Sequence, residues 1–201
     1  MTADLYAFDA EYQEFGVICG VDEAGRGPLC GPVCVAAVIL DANCPIDGIN
    51  DSKKLTEKKR EALYPQIIEK ALAYKIIFIE PAVIDEINIL NATMLGMKQA
   101  IEGLSFVPAL ALIDGNCCPK TDLPTEAVIK GDAKSASISA ASILAKVSRD
   151  RYMVKLAEEY PQYKLEQHKG YPTKLHYELL AQYGVQPFYR RSFLTKRGIV
   201  K

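Results

Sequence analysis

No stretch of the 201-residue chain approaches the roughly 18–20 uninterrupted apolar residues that a membrane helix needs. The acidic N-terminus MTADLYAFDAEYQEF also has no basic segment ahead of an apolar one, so the usual signals for membrane insertion and secretion are missing. Histidine is scarce: His168 and His176 are the only two, and they sit in a stretch without cysteine. No C-x-x-C pair exists, so a four-ligand zinc site lacks its ligand set. Cys19, Cys30, Cys34, Cys44, Cys117 and Cys118 therefore read as free thiols of a reducing cytoplasm. The absence of G-x-x-x-x-G-K-[ST] excludes a P-loop nucleotidase, and no G-x-S-x-G elbow presents a serine nucleophile. Ser139 and Ser142 are expected instead to pack within a helix and bond back to it. The glycines of GRGPLCG do not make a dinucleotide fingerprint, because Gly31 comes one place late, Pro28 intrudes and a strand follows. Internal repeats and low-complexity segments are absent as well.

What is present is an ordinary globular balance, 49% hydrophobic and 24% charged, at a length that suits one domain or one domain with a small C-terminal appendage. The net charge of −1 suggests no polyelectrolyte partner, but it conceals an asymmetry. Asp4, Asp9, Glu11, Glu14, Asp22 and Glu23 precede Arg26 with no Lys or Arg among them, whereas the segment 161–201 carries +6. Two solvated faces would account for this, and so would a metal-binding end beside a phosphate-binding end.

Apolar runs rich in Val and Ile at 16–21 and 31–40 predict buried strands, followed by a helix over 57–72 with Thr56 as its N-cap and Pro65 kinking or splitting it. A strand over 73–80, a helix starting at Pro81, short strands at 109–113 and 127–129, a long helix over 137–159 and a shorter one over 172–183 ended by Gly184 complete the pattern. Strands alternating with helices predict an α/β fold whose sheet is mixed if the first two strands pair as a hairpin.

Four carboxylates fall where predicted strands run out: Asp22 and Glu23 before AGRGP, Asp114 after ALALI, and Asp132 after VIKG. That edge is where open α/β sheets bind ligands. Each acid alone reads as a turn-former or cap, but together they would repel one another. Hard divalent cations remove the repulsion, and three or four carboxylates holding two ions about 3.5–4 Å apart form a phosphoryl-transfer site. Neighbouring strand residues face opposite ways, so Asp22 and Glu23 share one site only if the chain turns there, which Gly25 and Gly27 would permit. Asp150, between Arg149 and Arg151, competes for membership but reads as a surface ion pair. Lys53 and Lys54 of DSKKL, the His168–Lys169 pair and exposed Tyr171 of HKGYPT, and Arg190–Arg191 of RRSF combine cations with aromatics, the composition of a nucleic-acid groove.

GVDEAGRGPLCGPV, DSKKL, the IDG at 113–115, KGDAKSASISAASILAKVSRD and HKGYPTKLH occur in an order that resembles the ribonuclease HII family from about Gly16 to Phe193. The resemblance implies a ribonuclease H-like fold, a central mixed sheet flanked by helices over 1–160, with a basic helical C-terminal extension over 161–201 that grips the substrate. It implies endonucleolytic cleavage of RNA in RNA–DNA hybrids and at single ribonucleotides in duplex DNA, as in ribonucleotide excision repair. Cutting on the 5′ side of the ribonucleotide would leave a 3′-hydroxyl and a 5′-phosphate. Asp22, Glu23, Asp114 and Asp132 would hold two Mg²⁺ or Mn²⁺ ions, Gly25-Arg26-Gly27 would read the 2′-hydroxyl, and Tyr171 would stack by the sugar at the RNA–DNA junction. Cys30 stands where the family usually has a small residue, often alanine, and is expected to be a packing change. FYRRSF lacks the histidine often found before its arginines. LTKRGIVK contains no clamp-binding motif, so no tail-mediated clamp contact is expected from what reads as a monomer. The related ribonuclease HIII family carries an additional N-terminal domain, for which about 15 residues before the first strand are too few. A non-catalytic hybrid-binding module is the rival of another class, opposed by an intact set of four acids.

Overall fold

The computed structural model describes residues 2–200 and has an α/β architecture, one five-stranded mixed sheet with helices on both faces. Helix α1 (Thr2–Ala10) and a short 3-10 turn precede β1 (Ile18–Ala24) and β2 (Val33–Leu40). Helix α2 (Glu57–Lys70) runs directly into β3 (Ala71–Ile79), and α3 (Pro81–Glu102) leads to β4 (Leu110–Asp114) and β5 (Thr125–Val128). After a 3-10 turn at Gly131–Ala133 come the long α4 (Ala136–Glu159), then α5 (Leu165–His168), α6 (Lys174–Tyr183) and α7 (Arg191–Thr195).

The sheet order is β3-β2-β1-β4-β5. The first three strands form an antiparallel meander, while β4 pairs parallel with β1 and β5 parallel with β4. One face is covered by α4 and α2, where Ala36 and Val38 of β2 meet Ala140, Ile143, Leu144, Leu63 and Ile67. The other is covered by α3, whose Met97, Ala100 and Ile101 pack on Val35, Ala37 and Ile39. Gly20 permits the closest of these approaches: a Cβ there would lie 2.1 Å from the Ser137 carbonyl carbon, so only glycine lets the start of α4 rest on β1. Because α4 is buried on most of its sides, its sequence shows apolar and small residues all round rather than a single stripe.

The predicted elements are found, with local differences. Thr56 caps α2 by accepting from the Lys59 N–H, but α2 is one helix through Pro65, held by Leu63 and Ile67 in the core on either side of the lost ladder bond. The helix from Pro81 is broken at Asn88 (φ 66°, ψ 166°), whose Oδ1 accepts from the N–H groups of Leu90 and Asn91 and so caps a second segment. Helix α1 was not expected. Asp9 on it accepts from both N–H and Oγ of Ser137 and so holds the start of α4.

The C-terminal elements are stitched to the loop between β1 and β2. Leu29 N–H donates to Gly170, Gly31 N–H to Phe188, and Arg190 N–H to Leu29. Leu29 and Cys30 pack into an aromatic cluster with Met153, Tyr163, Phe188 and Tyr189, and the fully buried Cys30 is a packing residue.

Candidate active site

Parallel pairing sends the C-terminal ends of β1, β4 and β5 to one edge of the sheet. Val21 pairs with Ile113, so Asp22 and Asp114 follow side by side; Asp114 pairs with Val128, and the chain then turns through Gly131 into Asp132. Oxygen atoms of Asp22, Asp114 and Asp132 all lie within 4.8 Å of one another. Gly131 makes the closest turn. Its N–H donates to Asp114 Oδ1 at 2.7 Å, and an added Cβ would lie 2.6 Å from Ile138. The N–H of Asp132 donates to the same oxygen at 3.3 Å.

Glu23 lies beside this trio but is not one of the three whose oxygens gather within 4.8 Å. The β1–β2 ladder continues to Ala24, and the chain turns at Gly25, one of the two glycines expected to permit a turn. Glu23 Oε1 accepts from Arg26 Nη1 at 3.3 Å while its carboxylate still feels the charges of Asp114 and Lys53.

The acids oppose one another electrically. Burial pushes the Asp22 carboxyl well above its ordinary range, and the charges of Glu23 and Asp114 push the same way. Glu23 and Asp114 are raised too, chiefly by burial, with Asp132 the next cause for Asp114. Partial relief comes from the Ser142 hydroxyl on Asp22 and from Lys53, whose Nζ lies 3.0 Å from Asp132 Oδ2. Ser52, beside Lys53, bonds Ser142 at 2.8 Å and so ties the DSKKL segment to α4. Ser139 bonds back to the Ser135 carbonyl as expected.

The Gly25-Arg26-Gly27 loop lies next to the trio, and Tyr171 lies next to the loop: a Cβ on Gly27 would be 3.9 Å from the Tyr171 ring, which is 38% exposed. Lys146 and Arg149 approach that ring at 5.7 and 5.8 Å. Of the other expected cations, Lys169 is half-buried with its ammonium on the Glu166 carbonyl, and Lys54 is exposed in a cleft with Lys134 and residues of α1.

Three expectations need correction. Arg190 is fully buried, with every bond it donates going to backbone carbonyls, so it is no phosphate-neutralising surface group. His168 is buried as well, stacked on His176 at 4.1 Å and bonded to the Tyr163 carbonyl, so it adds no cation to the groove. Asp150 is paired, but with Lys146 at 2.8 Å rather than its flanking arginines, and it is buried, not on the surface. Sequence reading missed Arg149, Lys146 and Ser52. The i,i+4 spacing of Lys146 and Asp150 was the available signal for one of them.

Comparison with known proteins agrees with this geometry. The chain is 58% identical to a ribonuclease HII of Janthinobacterium sp. (strain Marseille) over 92% of its length and 88% of the relative's. It is 53% identical to one of Shewanella sp. (strain W3-18-1) over 99% and 95%. The crystal structure of ribonuclease H2 from Pyrococcus horikoshii OT3 superposes with a TM-score of 0.76 at 32% identity, covering 91% of this chain and 96% of that one. A Mn²⁺ complex of Bst-RNase HIII shares the fold at 17% identity, with a TM-score of 0.67 over 91% of this chain and 68% of that one. With the family model for ribonuclease HII matching residues 19–196, the chain belongs to the ribonuclease HII family and is a divalent-metal-dependent endoribonuclease of RNA–DNA hybrids.

Proposed function

We propose that the enzyme also cuts duplex DNA at single embedded ribonucleotides, on their 5′ side, and serves ribonucleotide excision repair. Water adds to the phosphorus as the P–O3′ bond breaks, leaving a 3′-hydroxyl and a 5′-phosphate. The observation that carries this reading is the trio of strand-end carboxylates within 4.8 Å of one another. The donor set is all hard oxygen, and burial together with the neighbouring negative charges raises the proton affinity of Asp22 and Asp114, which suits Mg²⁺ or Mn²⁺. Asp22, Asp114 and Asp132 would hold two such ions, with Glu23 joining from the adjacent position once Arg26 yields. Bound there, the ions supply an activated water and a counter-charge for the scissile phosphate. Lys53 adds a fixed positive charge beside Asp132.

Gly25-Arg26-Gly27 is assigned the 2′-hydroxyl, and Tyr171 the neighbouring deoxyribose, where an added hydroxyl would clash. Their adjacency supports both roles. Lys54, Lys169 and the basic segment 161–201 are assigned to phosphates along the duplex. Six free thiols favour a cytoplasmic location, and no helix among the described residues is long and apolar enough to cross a membrane. We take the working unit to be a monomer.

The test is incubation with Mg²⁺ or Mn²⁺ and a duplex carrying one ribonucleotide, beside an all-DNA control, with the ends identified by ligation. Cleavage of the first alone, leaving a ligatable 5′-phosphate, is expected. No cleavage of the single-ribonucleotide duplex, with hybrids still cut, would remove the finer assignment.

A further inference from the structure

Two arginines whose side chains bond to no carboxylate among the described residues lie beneath the loop assigned to the 2′-hydroxyl. Arg190, from the C-terminal segment, donates through Nη2 to Gly25 O at 2.6 Å, through Nη1 to Arg26 O and Pro28 O at 3.1 and 3.0 Å, and through Nε to Gly31 O at 2.9 Å. Arg149, from α4, donates to Pro32 O, Cys30 O and Lys169 O at 3.0, 3.2 and 3.0 Å. Carbonyl after carbonyl of Gly25–Pro32 is thus drawn to one of two buried guanidiniums. Arg190 is 0% and Arg149 1% exposed.

Peptide planarity converts this into a statement about the loop's other side. In a trans peptide the carbonyl of one residue and the N–H of the next point in opposite directions. With the Gly25 and Arg26 carbonyls turned inward, the N–H groups of Arg26 and Gly27 point away from Arg190. Arg149 links the loop to Tyr171. Its guanidinium carries Gly25, where a Cβ would lie 2.0 Å from Nε, holds the Lys169 carbonyl just before Tyr171, and sits 5.8 Å from the Tyr171 ring. Lysine cannot replace this arrangement, since one ammonium does not span four carbonyls as a planar fork does.

We propose that Arg190, seconded by Arg149, is a specificity-setting positioning residue: by holding the carbonyls of the Gly25–Pro32 loop inward, it fixes outward N–H groups that distinguish ribose from deoxyribose. The proposal rests on the loop reading given above. It also assigns the C-terminal segment a second task beside phosphate binding, because the residue that organises the loop comes from that segment.

The test compares the wild type with Arg190→Lys, Arg149→Lys and Gly27→Ala. Gly27→Ala probes the loop's outer side, because its new methyl would reach neither arginine and its nearest neighbour would be the Tyr171 ring at 3.9 Å. The measurement is the ratio of dissociation constants for an all-DNA duplex and the same duplex with one ribonucleotide, in EDTA so that neither is cut. A loss of folded protein cancels from this ratio, so a merely structural role would lower the melting temperature and leave the ratio alone. The expected result is a fall of about tenfold in the ratio for both arginine variants, the worth of one misplaced hydrogen bond, and a fall for Gly27→Ala as well. A fall for Gly27→Ala with an unchanged ratio in the folded arginine variant or variants overturns the positioning role and leaves the loop reading standing. An unchanged ratio in all three overturns the loop reading itself. Should Arg190→Lys fail to fold, Arg149→Lys carries the same comparison.

Discussion

Two clusters of buried charge meet at Gly25, and they are built on opposite terms. On one side Asp22, Asp114 and Asp132, with Glu23 beside them, press negative charges together, and burial, followed by the neighbouring charges, raises the proton affinity of Asp22 and Asp114. On the other, Arg149 and Arg190 carry positive charges that are met by backbone carbonyls. Burial lowers the Arg190 guanidinium to about 9, which still leaves it protonated at neutral pH. The difference separates machinery from scaffold. A buried charge whose hydrogen bonds are completed within the chain holds the fold, whereas like charges crowded together need an ion from outside.

The largest test of this contrast is catalytic. Asp22→Asn or Asp114→Asn is nearly isosteric but removes an anionic ligand, and should lower kcat on RNA–DNA hybrids by about a thousandfold or more. A rate within tenfold of wild type in either variant would break the assignment of that acid to the metal centre.

Stability should move in opposite directions in the two clusters. Arg190→Ala leaves its carbonyls unpaired and should cost about 3–5 kcal/mol, or roughly 10 °C in melting temperature for a chain of this size. Asp22→Asn should instead raise the melting temperature of the metal-free protein at neutral pH, because it relieves a buried, opposed charge. Calorimetry in EDTA gives both signs, and a fall for Asp22→Asn would blur the distinction.

Tyr171→Ala should lose activity about tenfold more on a duplex with one ribonucleotide than on a hybrid with a long RNA strand, which lacks the neighbouring deoxyribose. Paired cleavage assays decide it, and equal losses would make Tyr171 a general stacking platform.

Dependence on pH sharpens the comparison further. Asp22, Glu23 and Asp114 hold protons more tightly folded than unfolded, so their stabilisation is complete below the ordinary carboxylate range. It is lost as pH rises through the raised values. His176, lowered by burial from 6.5 to about 4, behaves in the opposite way: its contribution is present above 6.5 and lost as pH falls toward about 4. Melting curves with and without saturating Mg²⁺ should show the ion cancelling the loss at rising pH and leaving the loss at falling pH untouched.

The smallest effects belong to the surface. Binding should weaken steeply with salt, and Lys169→Ala should reduce the slope of log K against log salt by about 1 without changing ribonucleotide preference. Buried Asp150 is outside the trio and paired with Lys146, so Asp150→Asn should also alter cleavage less than any site variant.

Much of this was legible in the residues themselves. Short apolar runs rich in Val and Ile predict the strands, apolar spacing at helical period predicts the main helices, and acids placed at strand ends predict where the site lies. Less legible were features fixed by a single residue in context. Asn88 breaks α3 although the apolar spacing runs through it, because its side chain caps the following segment. Pro65 leaves α2 whole because packing on both sides outweighs one lost bond.

The sequence by itself determined the α/β class, the four acids and their place after strands, since hydrophobic period and side-chain chemistry are local properties. Only the tertiary structure decided that three of those acids cluster while Glu23 turns to Arg26, because parallel pairing acts between distant segments. It likewise decided that Arg190 is scaffold and not groove. A charged residue read from sequence carries no sign of whether water or a ring of carbonyls will surround it, and that choice is made only when the C-terminal segment closes over the loop between β1 and β2.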